Sequence, residues 1–154
     1  MKSQSQLWFG SAGEQPLPGE GSGAGKAAAA QPRALIVEDE LFVAWHLETL
    51  ANEFGLDVIG LVPDGEGAVE QFADASPDLV LMDINLAGRI DGVEAAQRIR
   101  QRRDVAVIFV TAFADVATIA RIEKAVPGAQ VLSKPVSADR LRTAIDRALL
   151  CRHQ

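Results

Sequence analysis

Five side chains with the means to do chemistry stand at the ends of apolar runs. Glu38 and Asp39 follow Ala34–Val37, Asp83 follows Leu79–Met82, Thr111 follows Val105–Val110, and Lys134 stands just past Gln130–Leu132. Brought together, three carboxylates against one ammonium would leave the group net negative, a crowding that is unfavourable until a cation enters. Ligands that are all oxygen suit Mg²⁺, which keeps several waters and often bridges to phosphate. Such a set can move a phosphoryl group onto a carboxylate. Asp83 would be the nucleophile, since aspartyl phosphate is an established type of covalent intermediate. Asp39, Asp83 and a loop carbonyl would hold the metal against the incoming phosphoryl oxygens. Lys134 would give one oxygen a compact positive charge, and the Thr111 hydroxyl would donate to another.

Convergence depends on the elements that carry these residues. The runs at Ala34–Val37, Asp57–Val62, Leu79–Met82, Val105–Val110 and Gln130–Leu132 read as strands. The first, third and fourth are nearly continuous in Val, Ile and Leu, as parallel strands buried on both faces are. Helices are predicted between and after them, near 40–54, 66–75, 92–103, 114–125 and 137–150. Gly55 has the position of a C-terminal cap. Asp91 and Glu94 have capping-box spacing, and Ser137 can cap the last helix. Val43, Leu47, Leu50 and Phe54 line one face of the first helix; Leu141, Ala144, Ile145 and Ala148 repeat the pattern in the fifth. This strict alternation implies an α/β fold, a flavodoxin-like (βα)₅ doubly wound parallel sheet with strand order 2-1-3-4-5. In that order strands one and three are neighbours. Glu38, Asp39 and Asp83 then converge at the carboxyl edge, where open α/β sheets bind ligands, and Thr111 and Lys134 face them.

Composition narrows the classes. Hydrophobic residues at 48% and charged residues at 23% provide for a packed core, and a net charge of −6 argues against a nucleic-acid partner held by phosphate neutralisation. A single cysteine, Cys151, fits neither an internal disulfide nor a cysteine zinc site, so a reducing, cytoplasmic setting is expected. The N-terminus lacks the apolar run of a signal peptide, and no stretch has membrane-spanning length. Residues 1–32 hold six of the 13 glycines and three of the seven prolines, with cancelling charges, and are expected to form a flexible tail whose one sticky spot is Leu7-Trp8-Phe9. Within the tail, Gly21–Lys26 mimics a phosphate loop but has Glu20 where Gly is needed and Ala27 where Ser or Thr is needed. Residues 33–150 would be the folded domain and 151–154 a short C-terminal end.

The runs Leu35-Ile-Val-Glu-Asp39, Leu79-Val-Leu-Met-Asp83-Ile-Asn85, Val110-Thr-Ala112 and Leu132-Ser-Lys-Pro135 together resemble the receiver domain of two-component response regulators. The resemblance spans about residues 33–150. It implies Asp83 as phosphoacceptor and a histidine kinase or phosphotransfer protein as donor. It also implies Asp39 as a direct Mg²⁺ ligand, Glu38 as an acid nearer the outer shell, Asn85 as a ligand through its backbone carbonyl, and a cis bond before Pro135. The chain would be a signal carrier rather than an enzyme. If complete, it has no room for an output domain, so the signal would leave by contact with a downstream protein, without nucleic acid or membrane; a homodimer stays open.

Three departures stand out. Ala87 occupies a position where the family usually has proline, and the loop to Asp91-Gly92 is one residue longer than usual, with Gly88-Arg89-Ile90 in it. Many receivers place Tyr or Phe where Val131 stands, and this chain has no tyrosine at all. Phe109-Val-Thr-Ala-Phe113 partly resembles the branch that serves HWE and HisKA2 kinases, with Val110, Ala112 and Ala114 departing from it. Phosphorylation of Asp83 is expected to draw the Thr111 hydroxyl inward and move Ala112–Asp115, with Phe113, and the fourth helix.

Other residues read more plainly. Arg98, Arg100, Arg102 and Arg103 are expected to complement a helix dipole and face water. His46 and Cys151 suggest no role. Phe42 and Trp45 fit either an outward patch or a partly buried helix face. Two rival classes fit less well. A haloacid-dehalogenase-like Mg²⁺ phosphatase needs Asp-x-Asp-x-Thr/Val, but Asn85 and Ala87 stand at the third and fifth positions. In a flavodoxin-like electron carrier, Glu38-Asp39-Glu40 would repel the cofactor phosphate. A degenerate, phosphate-independent interaction module is the remaining alternative.

Overall fold

The computed structural model describes residues 30–152. The proposed tail up to residue 29, with Leu7-Trp8-Phe9, and the last two residues lie outside them. Five parallel strands, β1 (Arg33–Val37), β2 (Asp57–Val62), β3 (Leu79–Met82), β4 (Ala106–Thr111) and β5 (Gln130–Ser133), form one sheet in the order β2-β1-β3-β4-β5. Helices α1 (Leu41–Glu53), α2 (Gly65–Ala75), α3 (Gly92–Arg102), α4 (Val116–Ala125) and α5 (Ala138–Arg152) alternate with them. This is the doubly wound flavodoxin-like arrangement expected from the sequence. Pairing starts slightly earlier than Arg33, because Pro32 O accepts the Asp57 N–H at 2.8 Å and Gln31 Nε2 donates to Gly55 O at 3.2 Å.

Period-two alternation divides the core. Leu35, Val37, Val80, Met82, Val107 and Phe109 point to one face and pack with α2, α3 and α4 through Phe72, Val93, Ile99 and Ile122. Ile36, Leu79, Leu81, Ile108 and Val110 point to the other and pack with α1 and α5 through Leu47, Leu50, Leu141 and Ile145. Burial on both faces explains why the central strands read as unbroken apolar runs.

Helix ends follow the local chemistry. Asp64, Asp91, Asp115 and Ser137 each accept a backbone N–H three residues on, from Gly67, Glu94, Thr118 and Arg140. Gly55 takes φ +90° beyond α1. The capping box at α3 is only half made: Glu94 pairs with Arg98 at 2.7 Å, one turn ahead. Two of the expected water-facing arginines do something else. Arg100 donates to Val105 O and Pro127 O, and Arg103 donates to Pro77 O with its guanidinium 5.0 Å over the Phe72 ring. They tie α3 to neighbouring loops, because a planar fork of several donors can reach loop carbonyls on more than one side.

Candidate functional site

Register carries the strand ends to a common edge. Val37 lies opposite Met82, Met82 opposite Phe109, and Thr111 opposite Ser133. The ladder continues past the strands: Glu38 N–H donates to Val62 O, Asp83 N–H to Val37 O and Lys134 N–H to Thr111 O, each at 2.9 Å. Backbone bonding therefore fixes Glu38, Asp83 and Lys134 before any side chain is considered.

Glu38, Asp39 and Asp83 each present one oxygen within 4.8 Å of the others. Glu38 and Asp83 are buried and Asp39 is exposed. Lys134 Nζ sits between two of them, 2.9 Å from Glu38 Oε1 and 3.2 Å from Asp83 Oδ2. The contact with Asp83 is a hydrogen bond, whereas the buried Glu38 Oε1 has an ionic neighbour but no hydrogen-bond partner. Glu38 Oε2 accepts the Glu40 N–H at 3.1 Å. These acids are not helix caps: the residue at the start of α1 is Glu40, which makes no side-chain cap bond, and α3 is capped by Asp91.

Burial pushes the Glu38 carboxyl above its ordinary range and the charge on Asp83 adds to this, while Lys134 and the Glu40 N–H oppose them. Burial alone would depress Lys134, but the two carboxylates outweigh it and hold the ammonium above its usual value. Lys134 is thus the cation that offsets the cluster. Lys134→Met, which keeps the apolar stem, is expected to cost about 2 kcal/mol in Mg²⁺-free buffer by leaving two buried carboxylates uncompensated. Millimolar Mg²⁺ should recover part of that loss in thermal unfolding; an unchanged midpoint without Mg²⁺ would show that the pair contributes nothing.

Thr111 is fully buried on the neighbouring strand, and its Oγ1 accepts the Phe113 N–H at 3.3 Å. Its hydroxyl is therefore engaged with the segment leading to α4. Phe113 in that segment and Val116 at the start of α4 are 65% and 86% exposed. Val131 is half-buried and packs against the α2–α3–α4 core, and the Lys134–Pro135 bond is cis. Asn85 is exposed on the loop after β3.

Residues 34–146 match the sequence model of the response regulator receiver domain. The chain belongs to that family. It is 37% identical over 123 residues to the transcriptional regulatory protein PdtaR of Mycobacterium tuberculosis, covering 79% of this chain and 58% of that protein. The match thus spans less than two thirds of PdtaR. Chemotaxis protein CheY of Bacillus subtilis is 32% identical over 119 residues, 76% of this chain and 97% of CheY. Among solved structures, the signal receiver domain of a modulated diguanylate cyclase from Desulfovibrio desulfuricans G20 superposes with a TM-score of 0.74 at 38% identity, covering 80% of this chain and 97% of that one.

Around the receiver's acidic cluster, three features escaped the sequence reading. Gly92 packs so closely that a Cβ there would fall 1.9 Å from the Asp83 carbonyl oxygen. The Arg121 guanidinium grips Asp91 at 2.6 and 2.9 Å, joining α4 to the cap of α3. Glu66 accepts the Arg89 N–H at 2.7 Å. Each joins residues distant in sequence or in tight backbone contact; a glycine directly after the Asp91 cap, where a better helix former would be favoured, was the only available hint. On α1, Phe42 and Trp45 are exposed and meet edge to face with centroids 5.7 Å apart, so the outward patch is the correct alternative. No helix among the described residues is long and apolar enough to cross a membrane.

Proposed function

We propose that this receiver takes a phosphoryl group on Asp83 from a phosphohistidine of a histidine kinase or phosphotransfer protein and passes the signal on by protein contact. The observation that carries this reading is the Asp83 carboxylate beside Lys134, within reach of Glu38 and Asp39 at the sheet edge. The site residues fit a hard divalent cation, because the donors are all oxygen and three clustered carboxylates face the single ammonium of Lys134. Asp39, Asp83 and the Asn85 backbone carbonyl would hold Mg²⁺ directly, with Glu38 further out. When bound, the ion supplies positive charge against the phosphoryl oxygens.

The chain's own groups do the rest. An Asp83 oxygen forms a bond to phosphorus as the P–N bond to the donor imidazole breaks. That electron pair returns to the ring nitrogen, which takes a proton from water. Lys134 offsets charge on one phosphoryl oxygen. Thr111 turns its hydroxyl to another and gives up the Phe113 N–H, which shifts the Ala112–Asp115 segment and α4 without an aromatic at position 131. Phe42 and Trp45 supply an apolar foothold for the donor beside Asp39, and Phe113 with Val116 a face for the downstream partner. The whole sequence takes place in the cytoplasm.

Acetyl phosphate with Mg²⁺ tests the reading by intact mass. One phosphoryl group per chain is expected, and a chelator should prevent it. Sustained turnover of general phosphate esters would favour the phosphatase alternative, and failure with every donor would favour a phosphate-independent module. Thr111→Ala is expected to be phosphorylated to the same stoichiometry while partner binding loses its dependence on phosphorylation. Unchanged dependence in a pull-down would rule out this route for the signal.

A further inference from the structure

The loop between β3 and α3 contains no proline to fix its backbone, and Gly88 within it takes φ +110°. Its base is held by the Gly92 N–H donating to Ile84 O at 2.8 Å. The outer part, Ala87–Ile90, touches α2 instead. Ala87 bridges Asp64 in a parallel backbone pairing, and the Glu66 carboxylate accepts the Arg89 N–H at 2.7 Å. A Cβ on Gly88 would lie 2.7 Å from Glu66 Oε1, so the carboxylate fills the space beside that glycine.

We propose that Glu66 is a positioning residue for this loop, fixing Ala87–Ile90 and through them the Asn85 carbonyl. The inference rests on the reading above for the role of Asn85, while the anchoring itself rests on geometry alone. Glu66 suits the task because it stands in the first turn of α2, where a carboxylate is favoured by the helix dipole. Its own N–H, then the Arg89 N–H and the nearby Arg89 charge, further hold its carboxyl below the ordinary value. A charged acceptor makes a stronger bond to a backbone amide than a neutral one, so an exposed contact can still order a loop.

Amide-resolved NMR of the full chain tests both parts, comparing wild type with Glu66→Ala and Glu66→Gln. Glu66→Ala is expected to speed hydrogen exchange at the Arg89 amide about tenfold while core amides such as Phe72 stay protected. The same variant should weaken Mg²⁺ binding about threefold to tenfold, as loss of support around a ligand does. Glu66→Gln keeps an acceptor oxygen without the charge and should restore part of both. Unchanged Arg89 exchange in Glu66→Ala would overturn the anchoring, and unchanged Mg²⁺ affinity would overturn its link to Asn85. Should the wild type bind no Mg²⁺, the metal reading and that link fail together, and Arg89 exchange alone then decides the anchoring.

Discussion

Asp83→Asn will fold like the wild type and take up no phosphoryl group from acetyl phosphate, a loss of at least about a thousandfold in rate. An amide oxygen is a far weaker nucleophile than a carboxylate. The side chain otherwise keeps its shape, so its packing at the end of β3 is preserved. Folding should survive because the backbone tie from the Asp83 N–H to Val37 O is untouched, and the amide oxygen can still face Lys134. Removing one of three neighbouring carboxylates also relieves repulsion against Glu38 and Asp39. Mg²⁺ affinity should fall, since a charged ligand is lost. Intact mass, far-ultraviolet circular dichroism and a Mg²⁺ titration separate these effects. A variant that is phosphorylated at the wild-type rate would place the acceptor elsewhere.

Gly92→Ala is expected to be the most destabilising single methyl group in the domain, at about 3 kcal/mol or more. The added Cβ would lie 1.9 Å from the Asp83 carbonyl oxygen and 2.9 Å from the Ile84 Cα. Both are backbone atoms of the segment that carries Asp83, so no flexible side chain can move aside. Relief would require α3 to retreat from the sheet or β3 to bend, and either one displaces Asp83. Mg²⁺ affinity and phosphoryl uptake should therefore fall even in the fraction that remains folded. Gly55→Ala is the control. Its φ of +90° makes alanine strained, but nothing lies within 4 Å of the added Cβ, so the cost should be about 1 kcal/mol with normal phosphorylation. Equal costs for the two substitutions, measured by urea unfolding, would contradict the packing account.

The contrast between these glycines shows what the sequence made legible. Gly55 follows a periodic helix, and that local pattern announces a left-handed cap. Gly92 follows a capping aspartate and looks like an ordinary weak helix start; its close neighbour is Asp83, brought there by a loop. Strands β1 and β3 were readable for a similar local reason, because burial on two faces leaves continuous Val, Ile and Leu. The cluster of Glu38, Asp39, Asp83 and Lys134 was readable because parallel order aligns strand ends. Arg100, Arg103, Arg121 and Glu66 were not. Their partners lie across loops, in most cases more than twenty residues away, and no spacing rule encodes a guanidinium reaching a carbonyl. Half of the α3 capping box also failed, since Glu94 had a closer claim from Arg98 one turn ahead.

The tie between Arg121 and Asp91 bears on how the signal leaves the site. Only Ile122 of α4 is buried, so the helix is held by few contacts, and the guanidinium pair is one of them. Burial would raise the Asp91 carboxyl, but Arg121 and the Glu94 N–H outweigh it and hold it below its ordinary value. On the proposed mechanism, a helix anchored this lightly would shift when Thr111 releases the Phe113 N–H.

Locating the covalent bond tests the central claim most directly. The chain is incubated with acetyl phosphate and Mg²⁺, reduced with borohydride so that an acyl phosphate becomes an alcohol, and digested for peptide mass mapping. The account requires homoserine in place of aspartate at position 83 and at no other acid, with none formed when Mg²⁺ is withheld. Reduction at Asp39 or Glu38, or phosphorylated chain with Asp83 intact, would contradict it.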